Sequence, residues 1–203
     1  MTCTFTNATP RPANSSNTVN NPPAKAPAGC SSFLCERRSN SMFAPEEFVS
    51  TLTELGITHV VWIPDTTLGQ WDAALRVAPE IELVQVCREG EAWALAAGLY
   101  LGGAKPIVVI QCTGLFESGD SLRNILHDYR LPIYGLIGYR SFLNAASLPG
   151  DTCLKFTEPV LDAWALDTVF LKDESMKPQF AEHYRKCTEQ QIPGICLMAE
   201  GAA

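Results

Sequence analysis

From position 42 onward the chain alternates repeatedly between short runs of consecutive apolar residues and longer segments with helical spacing. The short runs are His59-Val-Val-Trp-Ile63, Ile81–Cys87, Pro106-Ile-Val-Val-Ile-Gln111, Pro132–Gly138, Thr168–Leu171 and Gly194–Met198. A strand with one wet face alternates apolar and polar residues, whereas a strand covered on both faces is apolar throughout. Between the runs lie Ala44–Leu55, with Phe48, Leu52 and Leu55 on one stripe, a segment through Leu75, and Glu89–Leu101 closed by Gly102-Gly103. Further helices are expected at Ser118–Tyr129, ending near Leu166, and at Lys177–Gln190, with a loop over Ser141–Thr152. The pattern predicts an α/β fold: a doubly wound, mainly parallel six-stranded sheet with helices on both faces. Such sheets bind ligands at the carboxyl ends of their strands. The informative loops are therefore Pro64–Thr67, Arg88–Glu91, Gln111–Glu117 and Gly138–Arg140.

Residues 1–41 do not share this pattern. Thr, Asn, Ser, Pro and Ala dominate them, and they show no hydrophobic period. Such a composition does not repay the entropy of ordering, so the expectation is a disordered tail, 1–41, before one domain, 42–203. The tail has no apolar central segment of the kind a secretory signal needs. Two further readings are open: the Ser-rich, acid-poor composition resembles an organelle transit peptide, without its Arg-rich amphipathic stripe, and Met42 opens the folded pattern directly, which fits a start assigned too early.

Charge and cysteine usage exclude several classes of partner. The net charge is −7; residues 1–41 carry Arg11, Lys25, Arg37 and Arg38 against Glu36, which leaves −10 for the rest. A body that acidic repels nucleic acid and anionic membrane. No apolar run approaches the roughly 20 residues of a membrane span. The eight cysteines contain no Cys-x-x-Cys pair, and Cys87, Cys112 and Cys196 lie in apolar runs, where they read as small buried hydrophobes. Free thiols favour a reducing, cytoplasmic compartment, and no residue is expected to ligate a metal.

The Gly-rich phosphate loops and the Gly-x-Ser-x-Gly elbow are missing. What remains at the working edge is a set of carboxylates: Asp65, Glu89, Glu91, Glu117 and Asp120. Each has an ordinary structural reading. Glu89 sits where a first helical turn favours an acid, Asp65 where a helix wants a cap, and Arg140 is free to be solvated or to pair with a surface acid.

The run Arg88-Glu-Gly-Glu-Ala-Trp-Ala-Leu-Ala-Ala-Gly-Leu-Tyr-Leu101 carries more than that. Together with Val61-Trp-Ile-Pro-Asp-Thr-Thr-Leu68, Gln111-Cys-Thr-Gly-Leu115 and Gly138-Tyr-Arg140, it resembles the pyrimidine-binding domain of thiamine diphosphate enzymes, in the phosphonopyruvate and sulfopyruvate decarboxylase branch. The resemblance covers about residues 43–200. It implies that Glu89 hydrogen-bonds the aminopyrimidine ring of thiamine diphosphate and promotes its proton transfer. It implies cofactor contacts from Pro64, Gln111, Thr113, Gly114 and Leu115, running beneath the ring. Asp65 would act as a second catalytic group, and Asp65, Thr66 and Arg140 would meet a small 2-oxo acid substrate, Arg140 through an anionic group.

The same resemblance implies a missing half. Mg²⁺ and the diphosphate need a Gly-Asp-Gly element followed by Asn, and the chain offers only Ser118-Gly-Asp120 and Pro149-Gly-Asp151. A complementary diphosphate-binding subunit would supply both, which makes the active form a hetero-oligomer. The chain also departs from the branch: Thr113-Gly-Leu-Phe-Glu117 replaces Ser-Gly-Leu-Gly-Asn, and Glu91 adds a negative charge that disfavours phosphonate or sulfonate if it faces the site. Two other readings stay open: a non-catalytic or regulatory homologue that binds a small ligand or partner enzyme, and an unrelated flavodoxin-like binding module.

Overall fold

The structure, a computed structural model, describes residues 42–201. The tail expected over residues 1–41 lies outside the described residues. Six strands, β1 (His59–Trp62), β2 (Glu82–Gln85), β3 (Pro106–Gln111), β4 (Tyr134–Tyr139), β5 (Asp167–Leu171) and β6 (Gly194–Ala199), form one sheet in the order β2-β1-β3-β4-β6-β5. Every pairing is parallel. The doubly wound sheet is therefore wholly parallel.

Alternate residues of each strand enter two separate cores, one on each side of the sheet. Val60, Trp62, Ile107, Val109, Leu136, Cys196 and Met198 face a layer made by α1 (Pro45–Glu54), α2 (Asp72–Val77) and α7 (Lys177–Gln190). Val61, Val108, Ile110, Ile137, Ile195 and Leu197 face α3 (Glu89–Leu101), α4 (Cys112–Glu117), α5 (Gly119–Leu122) and α6 (Cys153–Trp164). Two dry faces explain the unbroken apolar runs. The edge strands β2 and β5 are only partly buried, and their sequences are correspondingly more polar.

The first core is closed at its lower end by Met42 and Phe43, both buried. The Phe43 carbonyl accepts the Trp71 indole N–H at 3.0 Å, and the Trp71 ring stacks on Phe48 with centroids 3.7 Å apart. Folded packing thus starts at the first described residues.

Three expectations need correction. Gln111–Glu117 is not a loop: Cys112–Glu117 is the helix α4, and its end Ser118 begins α5, which continues as a π-helical stretch at Arg123–Asp128. The loop over Ser141–Thr152 contains a 3₁₀ segment, Phe142–Ser147. Cys87 is exposed, because β2 ends at Gln85 and the chain leaves the sheet edge there. Cys112, Cys153, Cys187 and Cys196 are buried and free.

Candidate active site

The winding of the sheet reverses between β1 and β3, so a crevice opens beyond their carboxyl ends. After β1 the chain runs through Pro64-Asp65-Thr66-Thr67 into a 3₁₀ turn, Leu68–Trp71. Asp65 Oδ1 accepts the backbone N–H groups of Thr67 and Leu68 at 2.7 and 2.8 Å, which satisfies the open donors of that turn. Its Oδ2 accepts Gln111 Nε2 at 2.8 Å. Gln111 ends β3, and its Oε1 accepts the Thr113 hydroxyl at 3.3 Å. Asp65 is both a cap and a crevice residue. Pro64, Thr66 and Thr113 are exposed around it.

Glu89 is the first residue of α3, where the helix dipole favours a negative charge. Its half-buried side chain lies over Gly114 of α4. A Cβ at position 114 would stand 2.3 Å from Glu89 Cγ and 2.7 Å from Cδ and Oε1. Only a glycine leaves that space. Glu117, at the other end of α4, reaches the residues on either side of Glu89. Its Oε2 accepts the Gly90 N–H at 2.8 Å, and its Oε1 accepts Arg88 Nε at 2.9 Å and Nη2 at 2.5 Å. These contacts, the Gly90 N–H first and the Arg88 guanidinium second, hold the Glu117 carboxyl below the usual carboxylate range. Glu91 is exposed and accepts the Cys87 N–H at 3.2 Å.

The structure therefore brings Asp65, Gln111 and Thr113 into one bonded group and sets Glu89 on Gly114. The segment Gln111–Gly114 underlies both. Leu115 is 1% exposed and packs in the second core. Arg140 stands outside the bonded group; its Nε lies 3.3 Å from Asp151 Oδ2. Asp151 also accepts the Ser141 hydroxyl at 2.7 Å and the Cys153 N–H at 2.9 Å, so it serves as a cap of α6. The acid of the other expected Gly-Asp pair, Asp120, bonds Arg123 at 2.9 Å.

Two groups escaped sequence reasoning. Glu117 stood among the edge carboxylates, but nothing local marks its grip on Arg88 and Gly90. Glu200, which follows β6, is fully buried at 0% exposure, yet neither of its carboxylate oxygens has a hydrogen-bond partner among the described residues. Burial, then the nearby Asp65 charge, pushes its carboxyl up to about 8. An acid at the end of an apolar strand, opposite the glycine-containing Gly138-Tyr-Arg, was the available signal.

The residues suit the pyrimidine half of thiamine diphosphate. Gly114 keeps bare backbone beside an acid at a helix N-terminus. They do not suit its Mg²⁺. Among the described residues one group of three ligand-type side chains comes together, Asp167, His183 and Cys187. Asp167 pairs with Gly194 at the amino ends of β5 and β6, the opposite rim of the sheet. There Lys186 Nζ takes Asp167 Oδ2 at 2.6 Å, and burial pushes the Cys187 thiol up to about 11.

The fold is that of thiamine diphosphate enzymes. Benzoylformate decarboxylase from Polynucleobacter necessarius superposes with a TM-score of 0.60 at 19% identity, covering 77% of this chain and 30% of that one. A thiamine diphosphate-dependent enzyme from Mycobacterium smegmatis, described as putative, gives 0.60 and 19%, covering 78% and 30%. In sequence the chain resembles a particular branch. It is 26% identical over 163 residues to phosphonopyruvate decarboxylase of Streptomyces viridochromogenes, covering 79% of this chain and 41% of the relative. It is 28% identical over 123 residues to the sulfopyruvate decarboxylase alpha subunit of Methanococcus maripaludis, covering 59% of this chain and 74% of that subunit. The chain thus matches less than half the length of the phosphonopyruvate enzyme and about three quarters of the alpha subunit. No family model matches it. Among the described residues no helix is long and apolar enough to cross a membrane.

Proposed function

We propose that residues 42–203 are the pyrimidine-binding domain of a thiamine diphosphate-dependent 2-oxo acid decarboxylase of the phosphonopyruvate/sulfopyruvate type. The observation that carries this reading is Glu89 at the start of α3, laid over Gly114 and held on both sides by Glu117. An acid fixed there offers a carboxyl oxygen to a ring nitrogen, and bare backbone at Gly114 admits a flat heterocycle. When bound, thiamine diphosphate supplies the electron sink for loss of carbon dioxide from a 2-oxo acid. The chain's own work is to orient the ring and to hold a proton at the Glu89 carboxyl. Gln111, Thr113, Gly114 and Pro64 border the ring, with Leu115 supporting Gly114 from the core. Asp65 and Thr66 face the substrate, and Arg140 meets its anionic end by exchanging Asp151 for it.

The diphosphate and its Mg²⁺ belong to a second chain. This is supported by the alpha-subunit name of one relative and by the commitment of Asp120 and Asp151 to local bonds. The test is reconstitution. Full-length chain is combined with a candidate subunit carrying Gly-Asp-Gly and the following Asn, with thiamine diphosphate and Mg²⁺. Carbon dioxide release from sulfopyruvate, phosphonopyruvate and pyruvate is then measured. Turnover of at least one acid, dependent on both chains, is expected. Failure to bind thiamine diphosphate with such a subunit overturns the reading.

A further inference from the structure

Glu200 is a fully buried acid that the proposed chemistry leaves unused, and its placement is specific. Its backbone is fixed from two directions: the N–H donates to the Tyr139 carbonyl at 3.1 Å, and the carbonyl accepts the Leu143 N–H at 3.0 Å. The side chain then turns back across β4 and lies on Gly138. A Cβ at that position would come within 2.1 Å of Oε1 and 2.5 Å of Cδ. Gly138 is the register partner of Gln111 on β3. Neighbouring strands stand about 4.8 Å apart, so a carboxyl lying on Gly138 reaches the root of the Gln111 side chain. Gln111 already gives an N–H to Asp65.

We propose that Glu200 is a positioning residue of the crevice: it lies across the Gln111 side chain from Asp65, its protonation is coupled to Asp65, and while neutral it leaves the Gln111 amide to hold Asp65 in place. The physical reason is the lack of solvent. Glu200 is fully buried, so its charged form is disfavoured first by burial and then by repulsion from Asp65. Three N–H groups point at Asp65. Neither Glu200 oxygen completes a hydrogen bond among the described residues, although the Gln111 amide is near enough to oppose the rise of its carboxyl. The other titratable group that feels Glu200 is the buried thiol of Cys112 at the start of α4, which is pushed up mainly by its own burial and least by Glu200. Arg140, two residues beyond Gly138, is paired with Asp151. The proton therefore stays on Glu200 at neutral pH, and its loss in mild alkali places a buried charge behind Asp65. Naming Asp65 as a functional group rests on the decarboxylase reading, whereas the coupling of Glu200 to Asp65 does not.

The experiment separates the two. Full-length chain carrying ¹³C-labelled glutamate carboxyls is titrated by NMR between pH 5 and 10 as wild type, Glu200→Gln and Asp65→Asn. Wild type should show one carboxyl, absent from Glu200→Gln, that titrates near 8. Asp65→Asn should move that midpoint down by about one pH unit or more, the expected size of a close like-charge effect. Asp65→Asn leaves Glu200 in place, so it decides the matter even if Glu200→Gln does not fold. A midpoint in the ordinary glutamate range, or one indifferent to Asp65→Asn, overturns the proposal. In the reconstituted assembly, Glu200→Gln should remove an alkaline fall in kcat with a midpoint near 8; an unchanged alkaline limb also overturns it. An assembly without thiamine diphosphate binding, alongside the expected titrations, sinks the decarboxylase reading and leaves the coupling of Glu200 to Asp65 standing.

Discussion

The Glu89 side chain and the Gly114 backbone occupy adjoining space with no room for a methyl group between them. This contact joins the N-terminus of α3 to the short helix after β3. It makes position 114 as restrictive as position 89. The consequence can be tested on either side of the contact.

Gly114→Ala should displace the Glu89 carboxyl and cost about 1–3 kcal/mol of stability, the usual range for overpacking. Combining it with Glu89→Ala should recover most of that stability, because the atoms it strikes are removed. Thermal melts of the two single variants and the double variant check this. Additive losses would mean that the strain lies elsewhere in α4.

Glu89→Gln keeps the shape but removes the ionisable group. In the reconstituted enzyme it should lower kcat a hundredfold or more, about 2.7 kcal/mol, with a smaller effect on cofactor affinity. Glu91→Gln is the control: its carboxylate is exposed and bonds the Cys87 N–H. The reverse ranking of these two variants would reject the assignment of Glu89.

Glu117 should show itself at low pH. Its carboxyl is held below the usual range by Gly90 and Arg88, so its contribution is present above the ordinary glutamate value of 4.5 and disappears as pH falls through the lowered one. Thermal melts from pH 7 to 3 should show wild type and Glu117→Gln converging at the acid end. Because Glu117 is exposed, the separation at pH 7 should be small. A constant gap over the whole range would contradict the assignment.

The isolated chain should release no carbon dioxide from any 2-oxo acid, whatever the concentration of thiamine diphosphate and Mg²⁺. Measured turnover by the purified chain alone would overturn the two-chain arrangement. Deleting residues 1–41 should leave its melting temperature unchanged, because their composition offers no core.

Elements defined by local pattern were readable from sequence. The bounds of α3, β3 and α7 coincide with those the spacing predicts. Asp65 was legible as a cap, and its cap bonds are present. What was not legible depends on partners distant in the chain. Cys112–Glu117 contains a β-branched residue and a glycine, both poor in helices, yet α4 forms with the Glu117 carboxylate anchored on Arg88 and Gly90. Cys87 follows an apolar run, but that run lies on an edge strand and ends early. Glu200 follows a buried strand, and its burial depends on the space left by Gly138 on the neighbouring strand.

The strand order also has a bearing on how the molecule is made. β6 lies between β4 and β5, and β5 joins the sheet through β6 alone. Until residues 194–199 have emerged from the ribosome, β5 has no sheet neighbour and β4 keeps an open edge. The growing polypeptide must therefore carry an unpaired strand edge through much of its synthesis, a state open to chaperones and prone to mispairing. The insertion of β6 closes that edge, and the same step brings Glu200 onto Gly138, so sheet completion and burial of the crevice's last acid are one event.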